Sequence, residues 1–390
     1  MSLSCDTFFE ICSRLPAKVI YRFMSTCMLF SKFPKETYFA LKQAQHARVR
    51  NDTCFFIQPE ISIDATRWCN LPVEFHPLPG EESSSGVPRN VLAFFSKSVK
   101  ILCSTNGLVL CSVATQNEVS LFIINPITQS CSPIPTHDHL QDNHFYDDKI
   151  GCMCDSDGNF MIYHFIDNLV EWSSYFDCNV YKEGVWKEKE QFSSGSRNLR
   201  FDMPVHHKGV VHFISDCSTY LTRNNPYFRP YIMSYNFENG KSRMLRVPKE
   251  ARRGSHDKSC EMRIFKWGKV TDIEQSICLV RLRKGVFTVW VLTKYELSLW
   301  RKILKIRVKA MGLLENDCSQ IAIKSFTVLN GERLVFATQK KVYIYGLSDN
   351  KIHKFWNHEC DFNYLRFTPY TDTLRKCDIG TKNLSPPIHV

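Results

Sequence analysis

"SICLVRL" spans Ser276 to Leu282, and "FTVWVLTKYELSLWRKI" follows at Phe287 to Ile303. β-Branched and aromatic residues crowd both runs, and the period is two, which is strand grammar. A turn separates the runs. The second is aromatic-rich, breaks at a polar turn, and continues into a strand that carries Trp300. If this order occurred once, it would be a meander. It recurs, and the recurrence decides the fold.

"NGLVLCSV" (Asn106 to Val113) leads to "VSLFIINPITQS" (Val119 to Ser130). "GNFMIYHF" (Gly158 to Phe165) precedes Val180-Tyr181 and "EGVWKE". "KGVVHFIS" (Lys208 to Ser215) leads to "YIMSYNFENGKSRMLRVP" (Tyr231 to Pro248), and "ERLVFAT" (Glu332 to Thr338) to "KVYIYGLSDNKIHKF". Polar turns such as Asn239-Gly240-Lys241 and Asp349-Asn350-Lys351 end the middle strands, and Trp186, Arg243, Trp300 or Phe355 marks the closing ones. The repeat of roughly 50 to 60 residues lies in the range of propeller units with inserted loops. A meander of up to four strands cannot bury both faces alone, so the units must stack around an axis. The reading is an all-β domain over residues 51–390, a β-propeller of six or seven blades. A β-sandwich with long insertions is the alternative. "CFFIQ" (Cys54 to Gln58) reads as its first strand. A loop rich in Pro, Ser and Gly follows from Leu71 to Asn90.

The first fifty residues have a helical period instead. Phe8, Ile11, Cys12 and Leu15 share one helix face. Ser4 and Asp6 suit the start of that helix. Pro16 ends it and can open the next, because a proline at the first helical position loses no hydrogen bond. Val19, Ile20, Phe23 and Cys27 continue the apolar spacing. Pro34 and Glu36 open a further helix with Tyr38, Phe39 and Leu41 on its apolar side. A module of about 40 residues buries too little surface to stand alone. Its apolar side must meet another protein or the β-body.

Composition bounds the rest. The chain has 390 residues, 44% of them hydrophobic, and no apolar run near the roughly 18 needed to span a bilayer. The start lacks a basic stretch followed by an apolar one, so a soluble, intracellular protein of nucleus or cytoplasm is expected. Seventeen scattered cysteines read as free thiols. The net charge of +11 is densest at Lys249 to Lys269 and Arg301 to Lys309. No nucleic-acid motif accompanies it, and the plain reading is a solvated basic face.

Little chemistry is visible. "THDHLQDNHF" gathers His137, Asp138, His139, Asp142 and His144 at no known metal spacing, and reads as a solvated loop. "DSDGN" (Asp155 to Asn159) lacks the glycine and glutamate of a calcium loop and reads as a hairpin turn. Cys152-Met153-Cys154 is not a zinc spacing. His206-His207 needs no special role. No nucleophile elbow, phosphate loop, dinucleotide fingerprint or metalloprotease helix is present.

The amino-terminal run resembles a plant F-box. Glu10-Ile11-Cys12-Ser13-Arg14-Leu15-Pro16-Ala17-Lys18 and Arg22-Phe23 fall in register with the family's E-I-L-x-R-L-P-V-K and R-F. The departures are Ser4 for proline, Cys12 for leucine, Thr26-Cys27-Met28 for V-C-K, and Phe30 for tryptophan. Further on, Ser104-Thr105-Asn106-Gly107-Leu108, Asn125-Pro126-Ile127-Thr128, Gly209-Val210-Val211-His212-Phe213, and Val289-Trp290-Val291-Leu292 with Tyr295 and Trp300 resemble, in order, the motifs of the F-box-associated, kelch-like region of the same proteins. The resemblance implies an F-box-like module over 1–50 that docks on the Skp-type linker of a cullin-based ubiquitin ligase, with Leu3, Ile11, Leu15, Pro16, Val19, Phe23 and Phe30 as the docking candidates. The β-domain would then hold an unknown target protein. Its contacts would come from the loops Leu71 to Asn90, His137 to Lys149, Ser215 to Arg229 and Lys249 to Lys269, the last pointing to an acidic patch on the target. No catalytic residue, metal, cofactor, nucleic acid or membrane is expected. A stand-alone interaction propeller is the first alternative, and a propeller enzyme acting on a glycan or small molecule the second.

Overall fold

The computed structural model describes residues 4–24, 26, 28–49, 52–59, 72–97, 99–114, 119–135, 149–154, 159–167, 174–218, 221–257, 259–268, 276–313, 321–358, 365–377 and 382–383. The chain forms two compact units. One is Met1–Asp147 with Cys152–Cys154 and His358–Val390, and the other is Asp148–Gly151 with Asp155–Asn357.

The first unit opens with helices α1 (Cys5–Ser13), α2 (Ala17–Met24), α3 (Met28–Lys32) and α4 (Thr37–Val49). Ser4 caps α1, its Oγ accepting from the Thr7 N–H at 3.2 Å. Pro16 stands one residue ahead of α2, and its carbonyl accepts from Val19 and Ile20. Pro34 opens a single 3-10 turn, Phe33–Lys35, and α4 begins only at Thr37.

The strands follow as β1 (Cys54–Pro59) and β2 (Glu74–Pro77). After helix α5 (Arg89–Phe95) comes a meander of β3 (Val99–Thr105), β4 (Leu108–Ala114), β5 (Val119–Asn125) and β6 (Ser130–Ile134). Near the carboxy end, β23 (Leu365–Tyr370) pairs antiparallel with β1, Cys54 opposite Tyr370, and β24 (Lys382–Asn383) pairs with β6. One sheet, ordered β2-β1-β23, therefore joins the two ends of the β-body.

Strand β7 (Ile150–Cys154) joins β8 (Phe160–Asp167), β9 (Tyr175–Lys182) and β10 (Val185–Ser193) in a second meander. Three more follow in the second unit. They are β11 to β14 (Val205–His207, Val210–Ile214, Tyr231–Asn236, Ser242–Arg246), β15 to β18 (Glu261–Trp267, Ser276–Arg283, Val286–Lys294, Leu299–Arg307) and β19 to β22 (Ser325–Leu329, Arg333–Ala337, Lys341–Gly346, Ile352–Asn357). A short helix α6 (Lys249–Arg252) lies between the first two of these sheets. The first strands β11, β15 and β19 lie next to one another. The fourth strands β18 and β22 hold only half-buried and exposed positions, whereas β16 and β17 are buried through their middles. Convergent first strands and wet outer strands are what stacked blades produce. Among the described residues the strands form six sheets, within the expected six or seven blades.

Tight turns set the register. Lys284 and Gly285 have φ of 49° and 67°, the two-residue loop that suits the twist of the strands it joins. Aromatic rings fill the second unit's first core, with Phe201 and Phe213 at 4.8 Å and Phe165 and Phe192 at 4.8 Å between centroids. Among the described residues, no helix is long and apolar enough to cross a membrane.

Two expected loops are partly regular. The Leu71 to Asn90 stretch holds β2, an edge strand whose length and prolines hide it in the sequence, and the start of α5, whose Val91 and Phe95 pack on Phe56, Val99 and Ile101. The Lys249 to Lys269 stretch holds α6 and β15. Arg263 is a buried member of β15, hydrogen-bonded to Ser325 Oγ at 2.9 Å and lying over the Phe326 ring at 4.8 Å. Its charge disguises a strand as a basic loop.

Candidate functional site

The amino-terminal helices have two faces. The inner one is built by Cys12, Ala17, Ile20, Phe33, Phe39 and Ala40, which pack with Ile127 and Leu374 of the same unit. Phe33 and Phe39 stack at 4.8 Å. Full burial of a side chain such as Ile20 stabilises by roughly 1.5–3 kcal/mol. Polar ties reinforce it. Gln43 Nε2 donates to the Leu15 carbonyl at 3.2 Å, and Lys376 Nζ to the Lys35 carbonyl at 2.7 Å. Lys18 Nζ donates to the carbonyls of Glu82 (3.1 Å) and Ser85. The module thus uses its own β-body for one side.

The outer face is apolar and wet. Ile11, Phe23, Met28, Tyr38 and Leu41 are exposed at 47, 43, 78, 69 and 41%. Of the docking candidates, Ile11 and Phe23 lie on this face. Leu15, Pro16 and Val19 are half-buried, and Leu15 packs against the inner cluster. Phe30 belongs to α3, and Leu3 lies outside the described residues. Met28, Tyr38 and Leu41 add to the surface. Tyr38 was expected beside Phe39 on one apolar side, yet Phe39 turns inward while Tyr38 turns out and stacks on Phe9 at 5.6 Å. Beside it, Glu10 pairs with Lys42 and, at 2.8 Å, with Arg14. Hydrogen bonds from Lys42 first and Arg14 second hold its carboxyl down at about 2.

The family-like motifs of the β-body prove to be structural. Asn106 and Gly107 form the β3–β4 turn with φ of 47° and 79°. A Cβ on Gly107 would fall 1.9 Å from Thr373 Oγ1. Asn125, fully buried, donates to the carbonyls of Thr373 (3.0 Å) and Arg375 (2.6 Å) and accepts from the Ile127 and Thr128 N–H groups. Both motifs therefore close on one segment, 373–375. In the second unit, His212 Nδ1 faces the Val205 carbonyl at 3.1 Å and Nε2 the Tyr295 hydroxyl at 2.7 Å. Burial holds this imidazole neutral, with its pKa lowered to about 3. Trp290 is buried beneath the Arg281 guanidinium, and Trp300 Nε1 donates to the Arg246 carbonyl at 2.8 Å.

The remaining sequence candidates carry no visible chemistry. His206 Nε2 meets the Tyr163 hydroxyl at 3.0 Å, and burial lowers its pKa to about 4. Cys152 is a buried β7 thiol 3.0 Å from Cys103 Sγ. The stretches His137 to His144 and Asp155 to Gly158 lie outside the described residues. Among the described residues, no group of three His, Cys, Asp or Glu side chains could hold a metal ion. Of the loops expected to meet a target, Ser215 to Arg229 is held by a buried cation. Arg197, whose side chain is fully buried, donates to Asp216 Oδ1 (3.1 Å) and to the carbonyls of Ser218, Tyr227 and Phe228.

Fold and surface together define a β-propeller protein that carries a helical module with an open apolar face. The particular family follows from comparison with known proteins. The profile of the F-box associated beta propeller domain matches residues 70–376, and the chain belongs to that family. It is 22% identical over 358 residues to an F-box protein of Arabidopsis thaliana, covering 87% of each chain. Among solved structures it is similar to a Bacteroides caccae protein of unknown function (8% identity, 81% of this chain and 99% of that one, TM-score 0.41). It is also similar to the β-propeller domain of Cps50 (Swd1) from Myceliophteria thermophila (8% identity, 66% and 89%, TM-score 0.35).

Proposed function

We propose that this chain is the substrate-recognition subunit of an SCF-type, cullin-based ubiquitin ligase. Residues 1–50 act as the F-box and dock on the Skp-type linker, and residues 51–390 hold a target protein. The observation that carries this reading is the division of labour in the helices. Ile20 and its neighbours spend the inner face on Ile127 and Leu374, while Ile11, Phe23, Met28, Tyr38 and Leu41 keep much of their surface exposed. Exposed apolar side chains gathered on one small module mark a protein interaction surface. The family supports the reading, since the matched domain is an F-box associated propeller and the Arabidopsis thaliana relative is an F-box protein.

The chain needs no bond chemistry of its own in this role. It holds a target lysine near a conjugating enzyme, and the rate gain is effective concentration. The role places it inside the cell, in nucleus or cytoplasm. The test is capture of a purified Skp-type linker by the full chain. Phe23→Asp and Ile11→Asp should abolish capture with the thermal unfolding transition unchanged. If the wild-type chain captures no linker, the chain is a stand-alone interaction propeller instead.

A further inference from the structure

The positive charge of this protein is segregated. Between residues 241 and 309 stand nineteen Lys and Arg against six Asp and Glu, a net of +13, which leaves −2 for all other residues. In the second unit this segment forms β14, α6 and the strands β15 to β18, with Arg263 and Arg281 buried, and three of these elements, β14, α6 and the outer strand β18, are tied together. Trp300 bonds to the Arg246 carbonyl, the Arg246 N–H donates to Ser298 Oγ at 3.1 Å, and Lys302 pairs with Glu250 at 3.0 Å, so the three elements make one surface.

Two of its cations are neutralised, Lys302 by Glu250 and Arg243 by Glu296. Arg229, Arg246, Arg301, Lys305 and Arg307 are exposed and enter no ion pair among the described residues. Like charges crowd here. The Arg252 guanidinium is depressed in pKa, by burial first and then by Arg229 and Arg246. The cations are also held in place, because Arg197 fastens the loop that carries Arg229.

Basic edge strands often serve only to prevent strand pairing. The comparison with β10 argues against that here. That outer strand alternates Lys187 and Lys189 with Glu188 and Glu190, whereas β18 has four cations and no acid. Nor is the face purely ionic. Met244 (38%), Leu297 (66%) and Leu299 (47%) are exposed among the charges. Cations with interspersed apolar side chains fit an acidic peptide that also carries apolar residues. They fit a phosphodiester backbone less well, since it has no apolar side chains to offer.

We infer that the face formed by β14, α6 and β18 with the loop carrying Arg229 is the target-docking surface, and that it takes an acidic, apolar-punctuated protein segment. The inference rests on the substrate-receptor reading for the identity of the target, and on this surface alone for its chemistry. The probe is a fluorescein-labelled twelve-residue peptide of mixed Glu, Asp and Leu, titrated into the full chain. Two comparison probes are its Gln/Asn counterpart and a single-stranded twelve-nucleotide DNA. The acidic peptide should bind at least about tenfold tighter than either, and weaken as salt is raised. The variant Arg229→Glu/Arg246→Glu/Lys305→Glu should weaken it by roughly tenfold or more, while Lys187→Glu/Lys189→Glu, on the outer strand β10, should leave it unchanged. If the triple variant fails to fold, Arg229→Gln and Lys305→Gln alone should each weaken it roughly threefold. Equal loss in the β10 control, or tighter binding of the DNA, overturns the proposal. Linker capture read on the same samples keeps the two ideas apart. A basic-face variant that loses peptide but keeps linker supports this surface, and a chain that binds peptide but never linker overturns only the ligase role.

Discussion

The backbone N–H of Leu374 donates to Oε1 of Gln43 at 2.9 Å, across 331 residues of sequence. The other end of the same amide donates to Leu15. One buried side chain thus ties the joint of α1 and α2 to the closing segment of the β-body. Gln43→Leu would leave a buried N–H and a carbonyl without partners, at a cost of about 2 kcal/mol or more. Urea unfolding followed by circular dichroism should show a lower midpoint with unchanged slope. An unchanged midpoint would mean that the tie is ornamental.

The two helix faces should separate in a stability assay. Ile20→Ala empties a fully buried site and should cost about 2–5 kcal/mol. Met28→Ala, at a site 78% exposed, should stay within about 0.5 kcal/mol of wild type. The comparison that matters is their ratio. If Met28→Ala destabilises as much as Ile20→Ala, the outer face is not free for a partner.

Asp372 gives the protein a pH signature. Its carboxyl is buried with Oδ2 accepting from the Gly86 N–H at 3.1 Å, and burial raises its pKa to about 7, against that bond and the charge of Lys18. Between about pH 4 and pH 7 the folded chain keeps a proton that the unfolded chain has released. Stability from this group is therefore greatest at low pH, falls as pH rises through that window, and levels off above it. The span is about 4 kcal/mol at most. Asp372→Asn removes the dependence, so its Tm should exceed that of wild type at pH 8 and match it near pH 4.5. A pH-independent difference would show that the carboxyl is ionised throughout.

The strands were legible because a period of two with turn residues between is a local signal. "SICLVRL" and "FTVWVLTKYELSLWRKI" become β16, β17 and β18 with their breaks where the turns were read. What was not legible depends on distant partners. Ile11, Cys12 and Leu15 look alike in a helical period, and only the position of Ile127 and Leu374 sends Cys12 inward and Ile11 out. Charge misleads in the same way. Arg263 reads as part of a basic run, yet it is buried beside an aromatic ring, that of Phe326.

Asn125 should be the least replaceable motif residue of the first unit. Its amide serves two carbonyls and two N–H groups, all around the turn after β5 and the segment 373–375. Asn125→Asp keeps the two accepted bonds but sets a carboxylate against the Thr373 and Arg375 carbonyls. Asn125→Ala loses all four. Both should lower stability by about 3 kcal/mol or more. Asn125→Asp should recover part of the loss at acidic pH, where its carboxyl can donate, and Asn125→Ala should not. A pair of variants with the same pH profile would refute the amide's role as donor.

The last prediction concerns how the target loop is held. Arg197 has a fully buried guanidinium, one carboxylate partner in Asp216, and carbonyls of Ser218, Tyr227 and Phe228 around it. Removing one member of such a buried set strands the rest, which costs about 3–5 kcal/mol. Arg197→Lys keeps the charge but cannot reach several carbonyls at once, since an ammonium lacks the planar fork. The loop should then loosen before the blade does. Hydrogen exchange should rise between Asp216 and Phe228 while the middle of β13 stays protected. Because Arg229 follows directly, the same variant should also weaken the acidic-peptide probe without touching linker capture. Uniform loss of protection across β11 to β14 would instead make Arg197 a support of the whole sheet, with the loop following passively.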